Sequence, residues 1–349
     1  MFNIYRQDDA RADSLAGRTV GMVGYGKTGR ALALNLRDSG VRVIAGVLEN
    51  APELTLSPDD DAQPDPLANG ALAEADGFDT MPVEALTRQA NIILLAVPDE
   101  RMIDVYIKHI SPHLTSGHAL IFTSAYNVIF GYIEPPPFID VGIVAPRMAG
   151  DQLRQRYLSG AGFYSYIAMW QDASRSAWEL VLGVADAIGS LRAGAVEISA
   201  EQEAQLSLFV QQALVPVLYH AMTTAANLLM REGYLPSAAL TDLYLGGKFN
   251  DFVHRAASQG LLMALQDMPL MAQYGSLSRL ERFSELKLER LMEITLDEIR
   301  RGDFAREWAE EYADGHPRLD KLMQHQTTLD LWDWEQQTLD GLNFGDDSE

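Results

Sequence analysis

The sequence predicts an α/β domain with a parallel sheet followed by an all-helical domain, and three observations carry that prediction. Between Arg18 and about Val144, short apolar runs alternate with helical stretches, the signature of βαβ units. A glycine-rich run from Gly24 to Gly29 follows the first of those strands and opens a helix. Beyond about Val196 only helical periodicity remains. The expected division is therefore residues 1–196 and 197–349.

Taken in order, Thr19–Val23 reads as a strand, Thr28–Asp38 as a helix stopped near Gly40, and Val41–Leu48 as a second strand. Asn91–Val97 is apolar and too short for a helix, as a strand buried on both faces should be. Ala119–Ser124 and Asp140–Val144 are two more strands. Asn50–Gly77 holds Pro58, Asp59, Asp60, Asp61, Pro64 and Pro66 and reads as an irregular acidic surface insertion. In the second half, Glu201–Glu232 reads as a long helix interrupted by Pro216, and Pro236–Ser258 as a stretch weakened by Gly246 and Gly247. Arg279–Trp308 reads as one amphipathic helix. His220 sits among apolar residues and reads as a core or dimer-contact histidine, and the Trp332–Trp334 pair as a buried cap.

Composition narrows the function. The 349 residues carry a formal net charge of −22, which repels phosphate backbones and anionic membranes, so neither nucleic acid nor membrane is an expected partner. The absence of cysteine removes disulfides, thiolate metal sites and cysteine nucleophiles. The N-terminus lacks the apolar segment of a signal peptide, and no run reaches about 18 uninterrupted apolar residues, so the expectation is a cytoplasmic protein without a transmembrane helix.

The glycine run Gly24, Gly26, Gly29 has the spacing of a Rossmann dinucleotide turn. In such a turn the first glycine bends the chain, the second admits the pyrophosphate, and the third lets helix and strand pack. The cofactor-binding candidates are Gly24, Tyr25, Gly26, Lys27, Thr28, Gly29 and Arg30 in the turn, with Val97, Pro98, Asp99 and Ser124 at the ends of later strands. Glu49 stands 20 residues beyond Gly29, where a carboxylate accepts hydrogen bonds from the adenosine ribose. It would repel a 2′-phosphate, and residues 50–87 offer no lysine or arginine to bind one. The expected cofactor is NAD(P)H, with NADH preferred. Asp99 and Glu100 read equally well as cofactor neighbours or as the acidic first turn of a helix.

Several segments resemble the ketol-acid reductoisomerase family, class I-like, over nearly the whole chain. They are Gly24-Tyr25-Gly26 through Ala33–Val41, Val97-Pro98-Asp99-Glu100, Tyr126-Asn127 with Phe130-Gly131, Val144-Ala145-Pro146, Gln171–Ser174 and Leu191–Gly194. The resemblance implies an N-terminal Rossmann domain, a knotted all-helical C-terminal domain, and a homodimer whose active site uses both subunits. It also implies two magnesium ions that polarise a 2-hydroxy-3-oxo acid for alkyl migration, then reduction by NADPH. Here the chain departs from the family. The family's metal-binding aspartate falls on Ser207 and its first glutamate on Gln211, while two further glutamates fall on Asp242 and Gly246. The active-site histidine is replaced by Ser124, the lysine after Pro146 by Arg147, the substrate serine by Pro269, and the adenosine-side arginine by Leu48.

One carboxylate where the family has four cannot offset the dehydration of two magnesium ions, so no magnesium site is expected. Ser124, Arg147, Asp242 and Lys248 remain as candidate catalytic residues. Arg147 could grip a substrate carboxylate through its planar fork or serve a structural or phosphate contact. Ser124 could bond the nicotinamide or the substrate, Asp242 could anchor an amine or donate a proton, and Lys248, also a lysine in the family, reads more readily as structural. Together these predict an NAD(P)H-dependent oxidoreductase reducing a small 2-oxo acid or imine without metal-dependent isomerisation. The alternative is a non-catalytic, cofactor-binding or regulatory homologue.

Overall fold

The computed structural model describes residues 3–11, 13–48, 67–284 and 287–342. Its contacts divide the chain into two compact units, Met1–Leu206 and Ser207–Glu349. The composition change at Val196 precedes this division, because the first turns of the next helix bury Ala200, Glu203 and Ala204 in the first unit.

Nine strands form the described sheet of the first unit: β1 (Ile4–Tyr5), β2 (Thr19–Val23), β3 (Arg42–Val47), β4 (Asp79–Pro82), β5 (Ile92–Leu95), β6 (Ala119–Phe122), β7 (Asp140–Pro146), β8 (Ser165–Gln171) and β9 (Ala195–Glu197). Their order is β1-β9-β8-β7-β6-β5-β2-β3-β4. The six strands from β7 to β4 run parallel, and β8 is antiparallel to β7. Side chains alternate across the pleat into two cores. Ile92 and Leu94 enter one, Ile93 and Leu95 the other, and all four are buried. That is why β5 reads as an unbroken apolar run.

Chain order reverses direction at β2, which has β3 on one side and β5 on the other. In open α/β sheets this switch point opens a crevice at the carboxyl ends of the strands.

Within the supposed acidic insertion, residues 49–66 lie outside the described residues, but Leu67 is fully buried and Gly70–Ala75 forms a short helix leading into β4. The small, apolar run Gly70–Ala75 (GALAEA) is helix-competent where the proline-rich part is not. Helical geometry runs from Ala200 to Arg231, opened by a reciprocal cap in which the Ser199 hydroxyl accepts from Gln202 N–H and the Gln202 side chain accepts from Ser199 N–H. Pro216 does not break this helix. A π-helical turn, Val210–Leu214, precedes it and widens the backbone where the proline ring would meet a carbonyl. By length and composition this helix alone, among the described residues, is apolar enough to cross a membrane. No run of uninterrupted apolar residues marks it, because His220, Thr223, Thr224 and Asn227 break the run while the apolar residues around them keep the average high.

The second unit is helical throughout its described length. Pro236–Leu240 passes into a π-helical turn, Thr241–Leu245, and ends at Gly246. Arg279–Trp308 is not one helix: Leu288–Arg301 and Asp303–Ala313 are separated by Gly302, held left-handed at φ +71°. One buried cluster among the unit's described residues is small, comprising Ala226, Leu240 and Leu331 with Met230, Tyr244 and Trp334 packed against it. His220 is exposed rather than packed in that core, and Trp332 is largely exposed while Trp334 is not.

Candidate functional site

The glycine turn leaves β2 and enters the helix Lys27–Asp38. Gly24 lies at φ +98°, and a Cβ there would come within 2.5 Å of the Ala96 carbonyl oxygen. A Cβ on Gly29 would sit 1.9 Å from the Gly24 carbonyl oxygen. Neither position accepts a side chain, which is the close helix–strand approach that the spacing predicts. Gly26 is the extended cap residue and supplies no side-chain bond to the first turn. The first intrahelical bond runs from Arg30 N–H to Gly26 oxygen, 2.8 Å, so the amides of Lys27, Thr28 and Gly29 precede it. Such amides at the positive end of a helix form an anion site, and these residues fit a dinucleotide pyrophosphate.

The turn is braced from outside. Asn69 Nδ2 donates to the Tyr25 carbonyl at 3.1 Å. Gly150, at the start of the helix Gly150–Leu158, lies so near Lys27 that a Cβ would meet its carbonyl carbon at 2.4 Å. The Tyr25 ring is buried, and its hydroxyl donates to Asp76 at 2.8 Å. Arg30 grips the same carboxylate with Nε at 2.7 Å and Nη2 at 2.9 Å. The Arg30 bond first, and the Tyr25 bond after it, hold the Asp76 carboxyl below the usual carboxylate range despite burial. Of the turn residues named from sequence, then, Tyr25 and Arg30 commit their side chains to Asp76. What Tyr25 offers a ligand is backbone. Glu49 lies outside the described residues.

Because β5, β6 and β7 run parallel to β2, their carboxyl ends share its sheet edge. Three site candidates from sequence stand there: Asp99 after β5, Ser124 after β6 and Arg147 after β7. Val97 is buried and Pro98 half-buried beneath them. A residue that sequence reasoning missed joins them. Glu203 is fully buried, with one carboxylate oxygen accepting from Ala125 N–H and the other from Arg147 Nη2, each at 2.8 Å. The Arg147 guanidinium also lies 4.7 Å from the centre of the Tyr166 ring. Its fork is thus engaged by protein.

Asp99 begins the helix Asp99–Val105. Buried Asn127 directs Nδ2 to both the Asp99 carbonyl, 2.9 Å, and its Oδ1, 3.2 Å. Asp99 is itself partly open to solvent, yet protein packs densely around it. That desolvation, then the negative charges of Glu100 and Glu203, push its carboxyl up to about 7, while a bond from Ser124 opposes the rise. Tyr126 Oη and Asn127 Oδ1 are buried beside this cluster without a hydrogen-bond partner among the described residues.

In the helical unit, Asp242 and Lys248 pair at 2.8 Å with both side chains well exposed, at 72% and 80%. A Cβ on Gly246 would lie 2.6 Å from the Thr241 carbonyl oxygen, so this turn holds a glycine where a carboxylate would have to stand. With Ser207, Gln211 and Gly246 uncharged, the donor set does not fit a pair of hard divalent ions. Among the described residues, no group of three or more histidines, cysteines or carboxylates could hold a metal ion. The candidate catalytic residues fall in two pairs, one on each unit: Ser124 and Arg147, and Asp242 and Lys248.

Comparison with known proteins gives matches along almost the whole chain. The family model described as acetohydroxy acid isomeroreductase, NADPH-binding domain, matches residues 14–194. That of the ketol-acid reductoisomerase C-terminal domain matches residues 201–342, which takes in all but the first residue of the long apolar helix. The ketol-acid reductoisomerase (NADP(+)) of Pyrobaculum aerophilum is 34% identical over 330 residues, covering 94% of this chain and 95% of its own. That of Methanopyrus kandleri is 34% identical, covering 93% of each. Among solved structures, an NADH-preferring ketol-acid reductoisomerase from an uncultured archean superposes with a TM-score of 0.85 at 27% identity, over 96% of this chain and 98% of that one.

Proposed function

The chain belongs to the ketol-acid reductoisomerase family, and we propose that it is an NAD(P)H-dependent oxidoreductase that reduces a small 2-oxo acid or an imine without metal-dependent isomerisation. The observation that carries this reading is a contrast. The glycine turn keeps every steric feature of a dinucleotide cradle, while three of the four positions that correspond to metal ligands carry no charge. Alkyl migration needs a Lewis acid on both oxygens of the substrate. Reduction needs a hydride, which the nicotinamide supplies when bound, together with a held substrate and a proton.

NADH is the preferred cofactor in this reading. Arg30, the arginine of the turn, is already bidentate on Asp76, and residues 50–87 bring no cation for a 2′-phosphate. The NADH preference of the archaeal relative supports it. We read the helical unit as the knotted, dimer-forming domain the family implies. Its exposed Val215, Leu218 and Tyr219 are apolar surface that a second copy would cover.

The test follows NADH absorbance with pyruvate and 1-pyrroline as probes, in the presence of a chelator. Turnover is expected with at least one probe, and none with 2-acetolactate even when magnesium is supplied. One observation favours the non-catalytic alternative: Arg147 and Asp242, the charges most suited to a substrate, are already paired with Glu203 and Lys248. Tight NADH binding without turnover of any probe would decide for that alternative.

A further inference from the structure

We propose that Asp99, held between Asn127 and Ser124 at the carboxyl end of β5, is the acid that protonates the reacting oxygen or nitrogen of the substrate during reduction. The inference rests on the oxidoreductase reading above and supplies the group that reading lacks.

The turn after β2 dictates where a dinucleotide would lie. Its pyrophosphate sits on the turn after β2, and the fingerprint places the adenosine ribose at the end of β3. A bound nicotinamide half would reach the other way across the switch point, toward the ends of β5 and β6. The turn touches that region directly, since Gly24 packs on the Ala96 carbonyl and on Val97. Asp99 follows two residues later, and Ser124 follows β6 beside it.

The chemistry of the cluster then selects the acid. A proton donor must be within reach and must carry its proton near neutral pH. Asp99 remains partly open to solvent, and Asn127 Nδ2 fixes it by one bond to its main-chain carbonyl and one to its carboxyl Oδ1. The groups that set its charge are anionic or neutral. Glu100 lies on the same helix, Glu203 approaches from the helix Ala200–Phe209 with Arg147 bonded to it, and Ser124 approaches from the end of β6. The buried Tyr126, with the half-buried Tyr132 ring stacked against it, completes the surroundings. Burial with two carboxylates nearby favours the protonated acid, and its carboxyl titrates at about 7. Ser124, by contrast, is an alcohol, too weak an acid to give up a proton by itself near neutral pH.

In the step, hydride adds to the carbon of C=O or C=N and the π pair moves to the heteroatom. The Asp99 O–H bond breaks as the new O–H or N–H bond forms. NAD⁺, the alcohol or amine, and the Asp99 carboxylate result, and the carboxylate regains its proton from solvent.

The test measures kcat/KM for NADH-dependent reduction of pyruvate and of 1-pyrroline across pH, with NADH affinity measured separately by fluorescence. For the unmodified protein the rate is expected to fall tenfold per pH unit above about 7, as the acid is lost. Asp99→Asn should lower kcat/KM by roughly 10²–10⁴-fold and abolish this limb, with NADH affinity unchanged. Ser124→Ala removes a bond that favours the carboxylate and should move the limb to higher pH. Glu100→Gln removes a neighbouring negative charge and should move it to lower pH. These opposite shifts carry the test even where Asp99→Asn fails to fold, and a purely structural Asp99 would produce neither. A limb that stays in place in Asp99→Asn, or in both flanking variants, overturns the donor while the oxidoreductase reading stands. No turnover of either probe by the unmodified protein overturns both.

Discussion

The two units solve the same problem of burial in opposite ways. In the first, a mostly parallel sheet sends alternate side chains into two cores, and it encloses a charge as well, Glu203, paired with Arg147. In the second, the helices bury mostly alanines and a few larger residues such as Leu240 and Leu331. Val215, Leu218 and Tyr219 along one helix stay about half exposed, at 53%, 45% and 52%. The difference teaches where each unit's stability resides. The first completes its core within one chain, whereas the second presents apolar surface that a single copy leaves uncovered.

The largest effect expected from this contrast is at the enclosed ion pair. Arg147→Met would leave the Glu203 carboxylate buried and without its cation, while keeping an apolar stem against Tyr166. Stranding a buried charge costs about 3–5 kcal/mol. Urea denaturation should therefore show a large fall in midpoint with little change in slope. A midpoint within error of the unmodified protein would mean that Glu203 is not enclosed in solution, and the comparison of the units would lose its first term.

A smaller effect, of a different kind, is expected on the exposed helix face. Leu218→Asp places a charge where a second copy would cover apolar surface. Sedimentation should show a shift from dimer to monomer, with dissociation at least about tenfold easier, equivalent to about 1.4 kcal/mol. The first unit's NADH affinity should stay as it was. If the variant sediments as the unmodified protein does, the exposed leucine is not at an interface between copies.

What could be read from the sequence follows the same divide. The parallel strands and the glycine turn were legible because local pattern specifies them: each strand is a short apolar run, and each glycine answers a steric demand met within its own turn. The observed strands β3, β5, β6 and β7 lie within one or two residues of those expected. The acidic cluster was not legible. Asp99 reads from sequence as a cofactor neighbour or a helix start. Its altered acidity comes first from burial, which only the fold creates, then from Glu100 and from Glu203, 104 residues further on. β8 and β9 were missed because β8 is exposed over its last residues and β9 has three residues of which only Ala195 is buried, so neither shows an unbroken apolar run. The π-helical turns at Val210–Leu214 and Thr241–Leu245 leave no mark in a 3.6-residue periodicity, and a single glycine at 302 divided a helix whose apolar stripe continues on both sides.

The smallest effect should come from the exposed pair in the second unit. Asp242 and Lys248 are 2.8 Å apart, as close as Arg147 and Glu203, yet water surrounds both side chains. Two charges in water gain little by meeting, and median exposed pairs contribute about 0–1 kcal/mol. Lys248→Ala should leave the denaturation midpoint nearly unmoved, and high salt should erase whatever difference remains. The same variant also asks whether the pair belongs to the chemistry. With stability unaffected, a loss of pyruvate or 1-pyrroline turnover in Lys248→Ala would have to come from the substrate and not from the fold. Unchanged turnover would confine the reacting groups to the sheet edge, where Asp99, Ser124 and Arg147 stand.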